Sequence, residues 1–176
     1  MMIYEFLLDK RNYDNVTYRN KRSASRGIAF KDNKIILIKS DKYGEYKFPG
    51  GGINPNETKE MALIREFKEE TGIDVVVESI KEFAVFKEIR KSAIYDEIFD
   101  HTSYYYLVDV YDNIGETKLD DYEKEYGYNL VFATLDEAIN NNQRILDNND
   151  ITMCPWVERE IIILKKLREV YDGLHS

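Results

Sequence analysis

The sequence is poor in cysteine, in net positive charge and in long apolar runs, and each shortage excludes a class of protein. Its single cysteine, Cys154, rules out a disulfide within the chain, so nothing indicates an oxidising compartment. The formal net charge of −8 argues against a general binder of nucleic-acid polymers or anionic membranes, which need a basic face. No apolar run approaches the ~20 residues of a membrane span, and residues 4–8 are too few for a signal-peptide core. We therefore expect a cytoplasmic protein without a membrane partner.

The 176 residues suit one domain, and the apolar pattern predicts a mixed set of strands and helices. Short apolar or β-branched runs predict strands at residues 2–8, 26–30, 34–39, 74–77, 81–89, 101–111 and 130–133. Helical signals cover residues 58–71, 135–140 and 155–174. Residues 112–128 are predicted to form a loop, and the asparagine-rich residues 140–149 a polar connector. This pattern predicts an α/β protein of the mixed (α+β) kind, in which a helix packs on a sheet.

A run of three glycines leads into a predicted helix that carries three glutamates on one side. At 100° per residue, Glu66, Glu69 and Glu70 fall within an arc of about 100°. Three converging carboxylates repel one another unless a cation lies between them, so the segment predicts a divalent-metal site. Glycines at 50–52 allow close backbone approach, and a main-chain carbonyl can then join the ligands. Gly72 is predicted to end the helix.

The charges around the acidic arc differ from those of an ordinary solvated helix. Glu66 and Glu70 are like charges four residues apart, an arrangement that destabilises a helix by about a few tenths of a kcal/mol. A plain acidic surface is the alternative interpretation, and the glycine loop in front of the helix weakens it. Lys68 lies away from the arc. Arg65 lies between Glu57 and the arc, so we expect Arg65 and Glu57 to buttress the loop against the helix.

The segment 51–73 closely resembles the signature of the Nudix family. That signature is Gly, five residues, Glu, seven residues, Arg-Glu, an apolar residue, any residue, Glu-Glu, any residue, Gly and an apolar residue. Its fixed positions are occupied here by Gly51, Glu57, Arg65, Glu66, Phe67, Glu69, Glu70, Gly72 and Ile73. Two departures are mild, since Phe67 is bulkier than the usual aliphatic residue and Asn56 stands where glycine is common.

The resemblance implies a mixed β-sheet sandwiched between α-helices, with an added C-terminal helix. It divides the chain into an N-terminal extension at 1–22, a hydrolase domain at 23–146 and a C-terminal helical extension at 147–176. We expect the last of these to pack on the domain or on a partner in a homodimer.

The resemblance also implies Mg²⁺- or Mn²⁺-dependent hydrolysis of the pyrophosphate bond in a nucleoside diphosphate linked to another group. By the family pattern, the metal ligands are Glu66, Glu69, Glu70 and the carbonyl of Gly51. Glu66, Glu69 and Arg65 are counted as the catalytic residues, with Glu66 a candidate for orienting or deprotonating water. Metal ions that bridge phosphate oxygens stabilise the charge that develops during such a reaction. Glu57 and Gly72 of the motif are expected to be structural.

Substrate contacts are expected outside the motif. Many family members add an acid from a later loop as metal ligand or base, and Glu123 or Glu125 can fill that role. Arg90 is a candidate for binding phosphate and Tyr105 for stacking on a base, although a solvated arginine and a core tyrosine are the alternatives. These four residues complete the predicted binding site for the substrate, which we expect to be a nucleotide-like small molecule.

Two further functions are compatible with the same fold. One is a regulatory domain that senses a nucleotide without cleaving it, and the complete set of glutamates argues against it. The other is isomerisation of an isoprenoid diphosphate. Known isomerases of this kind use an additional cysteine–glutamate pair, and Cys154 lies too far towards the C-terminus to fit easily.

Overall fold

The computed structural model describes residues 2–148 and 154–175, with side chains up to residue 172. Eleven strands and four α-helices lie in these ranges, and the fold is the mixed α+β class that the sequence predicted. The chain forms two compact units. The first comprises the residues up to Ala29 together with Pro49–Lys118, and the second comprises Phe30–Phe48 and the residues from Leu119 onward.

The first unit is built on a five-stranded mixed sheet of order β1-β8-β9-β2-β6. Its strands are β1 (Tyr4–Asp9), β2 (Arg19–Ile28), β6 (Gly50–Gly52), β8 (Lys81–Lys91) and β9 (Ile98–Leu107). β1 is parallel to β8 and β2 is parallel to β9, whereas β8 pairs with β9 and β2 with β6 in antiparallel fashion. The predicted N-terminal edge strand is confirmed. β2 starts seven residues before the predicted strand at Arg26, because it pairs with β9 along its whole length.

Helix α1 (Lys59–Thr71) packs on this sheet through an apolar face. Leu63 and Phe67 are fully buried. The helix lies so close to β2 that a Cβ atom on Gly27 would come within 2.5 Å of the Phe67 ring. The Ser25 hydroxyl of β2 also donates a hydrogen bond of 2.7 Å to the carbonyl of Lys59, at the start of the helix. The helix is therefore fixed to the sheet at its N-terminal turn and along its apolar face.

A two-stranded antiparallel ribbon completes the first unit. It consists of β7 (Ile73–Val75) and β10 (Val110–Ile114), joined to β8 through a 3₁₀ turn at Val77–Ser79. The single strand predicted at residues 101–111 is wrong in this respect, because the chain leaves the main sheet after Leu107 and pairs with β7 instead. The apolar pattern runs across the break, so it gave no signal of the change of partner.

The second unit contains a four-stranded antiparallel sheet. Its strands are β3 (Phe30–Lys31), β4 (Lys34–Ser40), β5 (Tyr46–Lys47) and β11 (Tyr128–Ala133). β4 is central and pairs with the other three. The continuous apolar run from Ile35 to Ile38 is fully buried, in agreement with the prediction of a buried strand there.

Helix α3 (Leu135–Asp147) runs through the asparagines that were predicted to form a connector. That prediction is wrong for residues 140–147, because tertiary hydrogen bonds outweigh the low helix propensity of asparagine. Asn142 is fully buried, and its side chain accepts from the amide of Tyr46 (2.9 Å) and donates to the carbonyl of Tyr46 (2.8 Å). The Asn141 amide donates to the carbonyl of Gly44 at 2.8 Å. The asparagines thus continue the hydrogen bonding of β5 from the helix side.

The acidic stretch predicted as a loop contains a short helix, α2 (Asp121–Tyr126). A capping box explains it: the Asp120 carboxylate accepts from the amide of Glu123 at 3.0 Å, and the Glu123 carboxylate accepts from the amide of Asp120 at 2.7 Å. Gly127, with φ of 68°, ends the helix. The prediction failed here because the acidic composition indicated a loop, and the spacing of Asp120 and Glu123 that caps the helix was overlooked.

Helix α4 (Val157–His175) closes the chain and packs on α3 within the second unit. The predicted apolar face is buried at Val157, Ile161, Leu164 and Leu167. Cys154 is buried beside Val157 and Ile161 as an ordinary core thiol. The predicted contact of Leu174 lies outside the described side chains, and residue 149 of the predicted connector lies outside the described residues. In the described ranges, no helix is long and apolar enough to cross a membrane.

Candidate metal centre

The helix that carries the three glutamates has well-defined ends. Its N-cap is Thr58, whose hydroxyl accepts a hydrogen bond of 3.1 Å from the amide of Met61. Gly72 ends it in the left-handed conformation, with φ of 74°, and donates its amide to the carbonyl of Lys68 at 2.8 Å. The backbone of Gly115 lies where a Gly72 side chain would stand. The structural role predicted for Gly72 therefore has a direct geometric basis.

The acidic face has a buried and a more exposed part. Glu70 is 2% exposed, whereas the side chains of Glu66 and Glu69 are 15% and 28% exposed. One carboxylate oxygen of Glu66 and one of Glu70 lie within 4.8 Å of each other. Ala62, one turn before Glu66, is fully buried and leaves room for the carboxylates. Two carboxylates at this separation suit a divalent cation, since hard cations prefer oxygen ligands.

The glycine loop touches this face directly. A Cβ atom on Gly51 would come within 2.5 Å of the Glu66 carboxylate, so only glycine leaves that carboxylate in its place. Gly50 has φ of 152°, a conformation that favours glycine, and its amide donates to the Glu70 carboxylate at 3.2 Å. Of the three glycines, Gly50 alone adopts a positive φ, so Gly51 is required for close approach and not for its backbone angles.

Arg65 joins the loop to the acidic face through five hydrogen bonds. Two go to the two oxygens of Glu57 (2.8 and 2.9 Å) and one to the carbonyl of Gly52 (3.0 Å). The other two, from a single nitrogen, reach Glu66 (2.6 Å) and Glu69 (3.3 Å). These contacts are the ones that the predicted buttress requires, and its role stays a prediction. Arg65 binds carboxylates on both of its sides, and its contacts hold the loop and the acidic helix face together.

The Arg65 guanidinium lowers the pKa of Glu57 to about 2, with a further contribution from the amide of Asn54, which donates to Glu57 at 3.1 Å. The pKa of Arg65 is raised in turn, first by Glu57 and then by Glu66. Both groups are therefore charged across the physiological pH range. Lys68 lies away from the acidic arc, as predicted, and binds Asp74 at 2.7 Å.

The donor set fits a hard divalent cation. Glu66, Glu69 and Glu70 supply carboxylate oxygens, and Arg65 supplies the positive charge that keeps two of them close together. Because Gly51 has no side chain, its backbone lies close against the Glu66 carboxylate. These residues could hold a divalent cation; the identity of the ion and the predicted part of the Gly51 carbonyl stay predictions.

Two of the residues predicted to bind substrate lie within the main sheet. Arg90 on β8 is 7% exposed, donates to the Glu88 carboxylate at 3.0 Å and stacks over the Phe99 ring at 3.9 Å. Tyr105 on β9 is 1% exposed. Both side chains are buried within the first unit, and their roles in substrate binding stay predictions.

The two acids predicted from the later loop differ in their surroundings within the second unit. Glu123 is 5% exposed and occupied in the capping box of α2. Glu125 is exposed and pairs with Lys42 at 3.2 Å. A buried carboxylate at a helix start and an exposed one in a surface ion pair are different candidates for a metal ligand, and the choice between them stays a prediction.

Sequence reasoning missed two contacts of the site. One is the hydrogen bond from Gly50 to Glu70, the most buried of the three glutamates on the acidic face. The other is the bond from the amide of Lys118 to the carbonyl of Glu69, at 2.7 Å, which ties the segment after β10 to the helix. The position of Gly50 next to the motif glycine was a signal for the first. A backbone contact between distant segments leaves no such signal.

Comparison with known proteins gives a consistent result. A model of the NUDIX domain matches residues 21–170. The chain is 44% identical over 66 residues to an ADP-ribose pyrophosphatase of Methanocaldococcus jannaschii, and 46% identical over 52 residues to an 8-oxo-dGTP diphosphatase of Proteus vulgaris. These matches cover 36% and 27% of this chain and only 39% and 46% of the relatives' own lengths.

The fold is also found among solved structures. A MutT NUDIX hydrolase from Burkholderia pseudomallei superposes with a TM-score of 0.53, at 23% identity, over 67% of this chain and 86% of the other. At this identity the likeness establishes the fold alone. It agrees with the fold that the motif implied.

Proposed function

The chain belongs to the NUDIX domain family, and from that premise we propose that it is a metal-dependent nucleotide pyrophosphohydrolase. Its substrate is a nucleoside diphosphate linked to another group, and its metal is Mg²⁺ or Mn²⁺. The relatives named above carry names that state ADP-ribose and 8-oxo-dGTP, both of which contain a pyrophosphate bond. They support the reaction class and leave the linked group open.

One observation carries the proposal: the acidic face of α1 is complete and is built together with its glycine loop. Glu66 and Glu70 have oxygens within 4.8 Å of each other, and Gly51 has no room for a side chain beside Glu66. Arg65, which is bonded to both Glu66 and Glu69, holds these two carboxylates on the same side of the helix. The arrangement supports a working metal site more than a solvated acidic face.

Each residue of the site has a proposed role. Glu66, Glu69 and Glu70 hold the metal, with the Gly51 carbonyl beside them. These residues would hold Mg²⁺ or Mn²⁺, which would supply positive charge for the diphosphate oxygens and a more acidic water near neutral pH. Glu66 is the proposed group for orienting or deprotonating water. Arg65 is proposed to act by positioning carboxylates, because all five of its hydrogen bonds go to groups of the motif region.

The test is a panel of nucleotides incubated with the purified protein and Mg²⁺ or Mn²⁺. The panel contains nucleoside triphosphates, ADP-ribose and dinucleoside polyphosphates, and chromatography identifies the products. We expect a nucleoside monophosphate to be released from at least one of them, and only when metal is present. Tight nucleotide binding without cleavage of any compound would support the alternative, a nucleotide-sensing domain.

The variant Glu69→Gln tests the ligand assignment. It removes one charged ligand while leaving the packing of α1 in place, and we expect turnover to fall by about 100-fold or more. Glu60→Gln is the matched control, because Glu60 is an exposed residue of the same helix outside the acidic arc. Near-normal turnover of Glu69→Gln at saturating metal would contradict its role as a ligand.

Isomerisation of an isoprenoid diphosphate is the weaker alternative. Cys154 packs against Ile145, Val157 and Ile161 in an apolar cluster, which suits a core residue better than an acid–base catalyst. The cytoplasmic location, the homodimer and the boundaries of the extensions at 1–22 and 147–176 stay predictions. So does the assignment of Glu123 or Glu125 as the later acid.

A further inference from the structure

A cavity of about 560 Å³ lies in the first unit beside the glycine loop. Its walls are formed by residues of β2, β8 and β9 and by the segment Gly52–Pro55, which starts at the last residue of β6. Gly52 belongs both to this wall and to the metal centre, since its carbonyl accepts from Arg65 at 3.0 Å. Asn54, also in the wall, donates its amide to Glu57 at 3.1 Å. The cavity therefore opens directly next to the motif, and its volume falls within the range of small-molecule sites.

The lining of this cavity is cationic, in contrast to the chain as a whole. Lys21, Arg22 and Lys87 line it, against a single acid, Asp100. The whole chain has a formal net charge of −8. We call this feature the cationic pocket. A local excess of positive charge on an acidic protein attracts anionic ligands to that place.

Two of these cations, Lys21 and Arg22, are exposed. Within residues 2–148 and 154–172, neither of them forms an ion pair. Of the three pocket cations, Arg22 is the nearest to Gly52, because one of its terminal nitrogens lies 3.6 Å from the place where a Cβ atom of Gly52 would stand. Long charged side chains at a cavity mouth, without partners, are placed to bind an anion that enters it.

Asp100 reduces this positive charge only in part. It is 4% exposed and binds Arg19 at 2.8 Å, so its negative charge is already paired. Its other oxygen lies 4.0 Å from the Lys87 ammonium, which is a loose contact that keeps Lys87 over the cavity. Ser23 and Thr102 add hydroxyl groups to the wall. Hydroxyl and cationic donors together are the usual ligands of a phosphate group.

We infer that the cationic pocket binds a phosphate group of the substrate beyond the bond that is cleaved. Resting on the proposed function, this inference assigns the substrate class: a nucleoside triphosphate or polyphosphate is preferred over a diphosphate linked to a neutral sugar. A neutral sugar would leave Lys21 and Arg22 without a partner. Gly52 is part of the pocket wall and its carbonyl accepts from Arg65, so an extended phosphate chain that starts at the proposed metal centre would run towards these cations.

The test uses inorganic tripolyphosphate as the probe, in calorimetric titrations of the metal-free protein. The variant Arg22→Gln/Lys87→Gln removes two charges from the pocket. Lys81→Gln/Lys91→Gln is the matched control, because both lysines are exposed on the same sheet and lie outside the pocket. We expect the pocket variant to bind tripolyphosphate about 10-fold more weakly than the wild type, and the control variant to bind it within about twofold. Circular dichroism checks that both variants are folded.

A second measurement separates this inference from the proposed function. With metal present, the pocket variant is expected to raise KM for nucleoside triphosphates about 10-fold and to leave KM for ADP-ribose within about twofold. Equal tripolyphosphate affinity in wild type and pocket variant, or no binding to the wild type, would overturn the inference. Absence of cleavage with every nucleotide would overturn the proposed function, while the calorimetric difference would still decide whether the pocket binds phosphate.

Discussion

Arg65 is the residue whose removal tests most of the structural reasoning about the site. In Arg65→Gln the five hydrogen bonds to Glu57, Glu66, Glu69 and Gly52 are lost. The side chains of Arg65 and Glu57 are 29% and 12% exposed, so solvent screens the pair only in part. A two-point arginine–carboxylate pair of this exposure contributes about 1–2 kcal/mol. We expect the free energy of unfolding at pH 7 to fall by about that amount.

The pKa of Glu57 reports on the same contact directly. It is about 2 in the folded wild type and is expected to return towards its ordinary value of 4.5 in Arg65→Gln, because the guanidinium is the main cause of the shift. A carboxylate whose folded-state pKa is lowered contributes stability that is complete above the unfolded-state pKa and is lost as the pH falls through the folded-state pKa. The stability gap between wild type and variant should therefore be full above about pH 4.5 and shrink between there and about pH 2.

Two measurements check this prediction. Carboxyl-detected NMR titration of metal-free protein gives the pKa of Glu57, and urea unfolding at several pH values gives the stability gap. Lys68→Gln is the matched control, because it removes one positive charge from the same helix, where Lys68 binds Asp74 and not the acidic arc. The reasoning is refuted if the pKa of Glu57 stays near 2 in Arg65→Gln, or if Lys68→Gln raises it as much.

Two glycine substitutions test the geometry of the loop and of the helix end. Gly51→Ala places a methyl group 2.5 Å from the Glu66 carboxylate, so we expect Mn²⁺ affinity, followed by electron paramagnetic resonance, to fall about 10-fold. Unchanged affinity would show that this carboxylate is free to move. Gly72→Ala puts a side chain into a backbone with φ of 74° and against the Gly115 carbonyl, which should cost about 2–3 kcal/mol in urea unfolding. Gly44→Ala is the matched control. Gly44 has nearly the same φ, 75°, but no contact lies within 4 Å of its Cβ position, so the substitution should cost only about 1 kcal/mol. Equal costs would mean that the contact with Gly115 is unimportant.

The helix at the centre of the site could be predicted almost completely from the sequence, because its signals are local. Thr58 and Gly72 mark its ends, and the 100° spacing places Glu66 and Glu70 on one side. The same reasoning failed for residues 140–147, where the hydrogen bonds of Asn142 to β5 decide the conformation. When a side chain from a distant part of the chain takes the place of a neighbouring strand in hydrogen bonding, the sequence shows no periodic pattern that would reveal it.

The cationic pocket could not be predicted from the sequence, for a related reason. Lys21 and Arg22 lie in a polar stretch with no clear period, and Lys87 is one of several charged residues on β8. Only the pairing of β2 with β9, and of β9 with β8, brings these cations to one cavity. The register of the strands decides which single positions on separate strands lie side by side. Between strands far apart in the sequence, that register is set by tertiary packing.

The contacts of Arg65 also bear on what the metal does for the protein. The chain itself supplies positive charge to the acidic face, since one guanidinium nitrogen lies 2.6 Å from Glu66 and 3.3 Å from Glu69. The buried Glu70 is bound instead by the amide of Gly50. The carboxylates are therefore held by contacts within the chain, so we expect the protein to fold without a bound cation. This distinguishes the site from structural metal centres, in which the free energy of metal binding is the free energy of folding. Arg65 also opposes the charge of these acids, because without it Glu66 and Glu69 would lie on one side of the helix without that neighbouring positive charge.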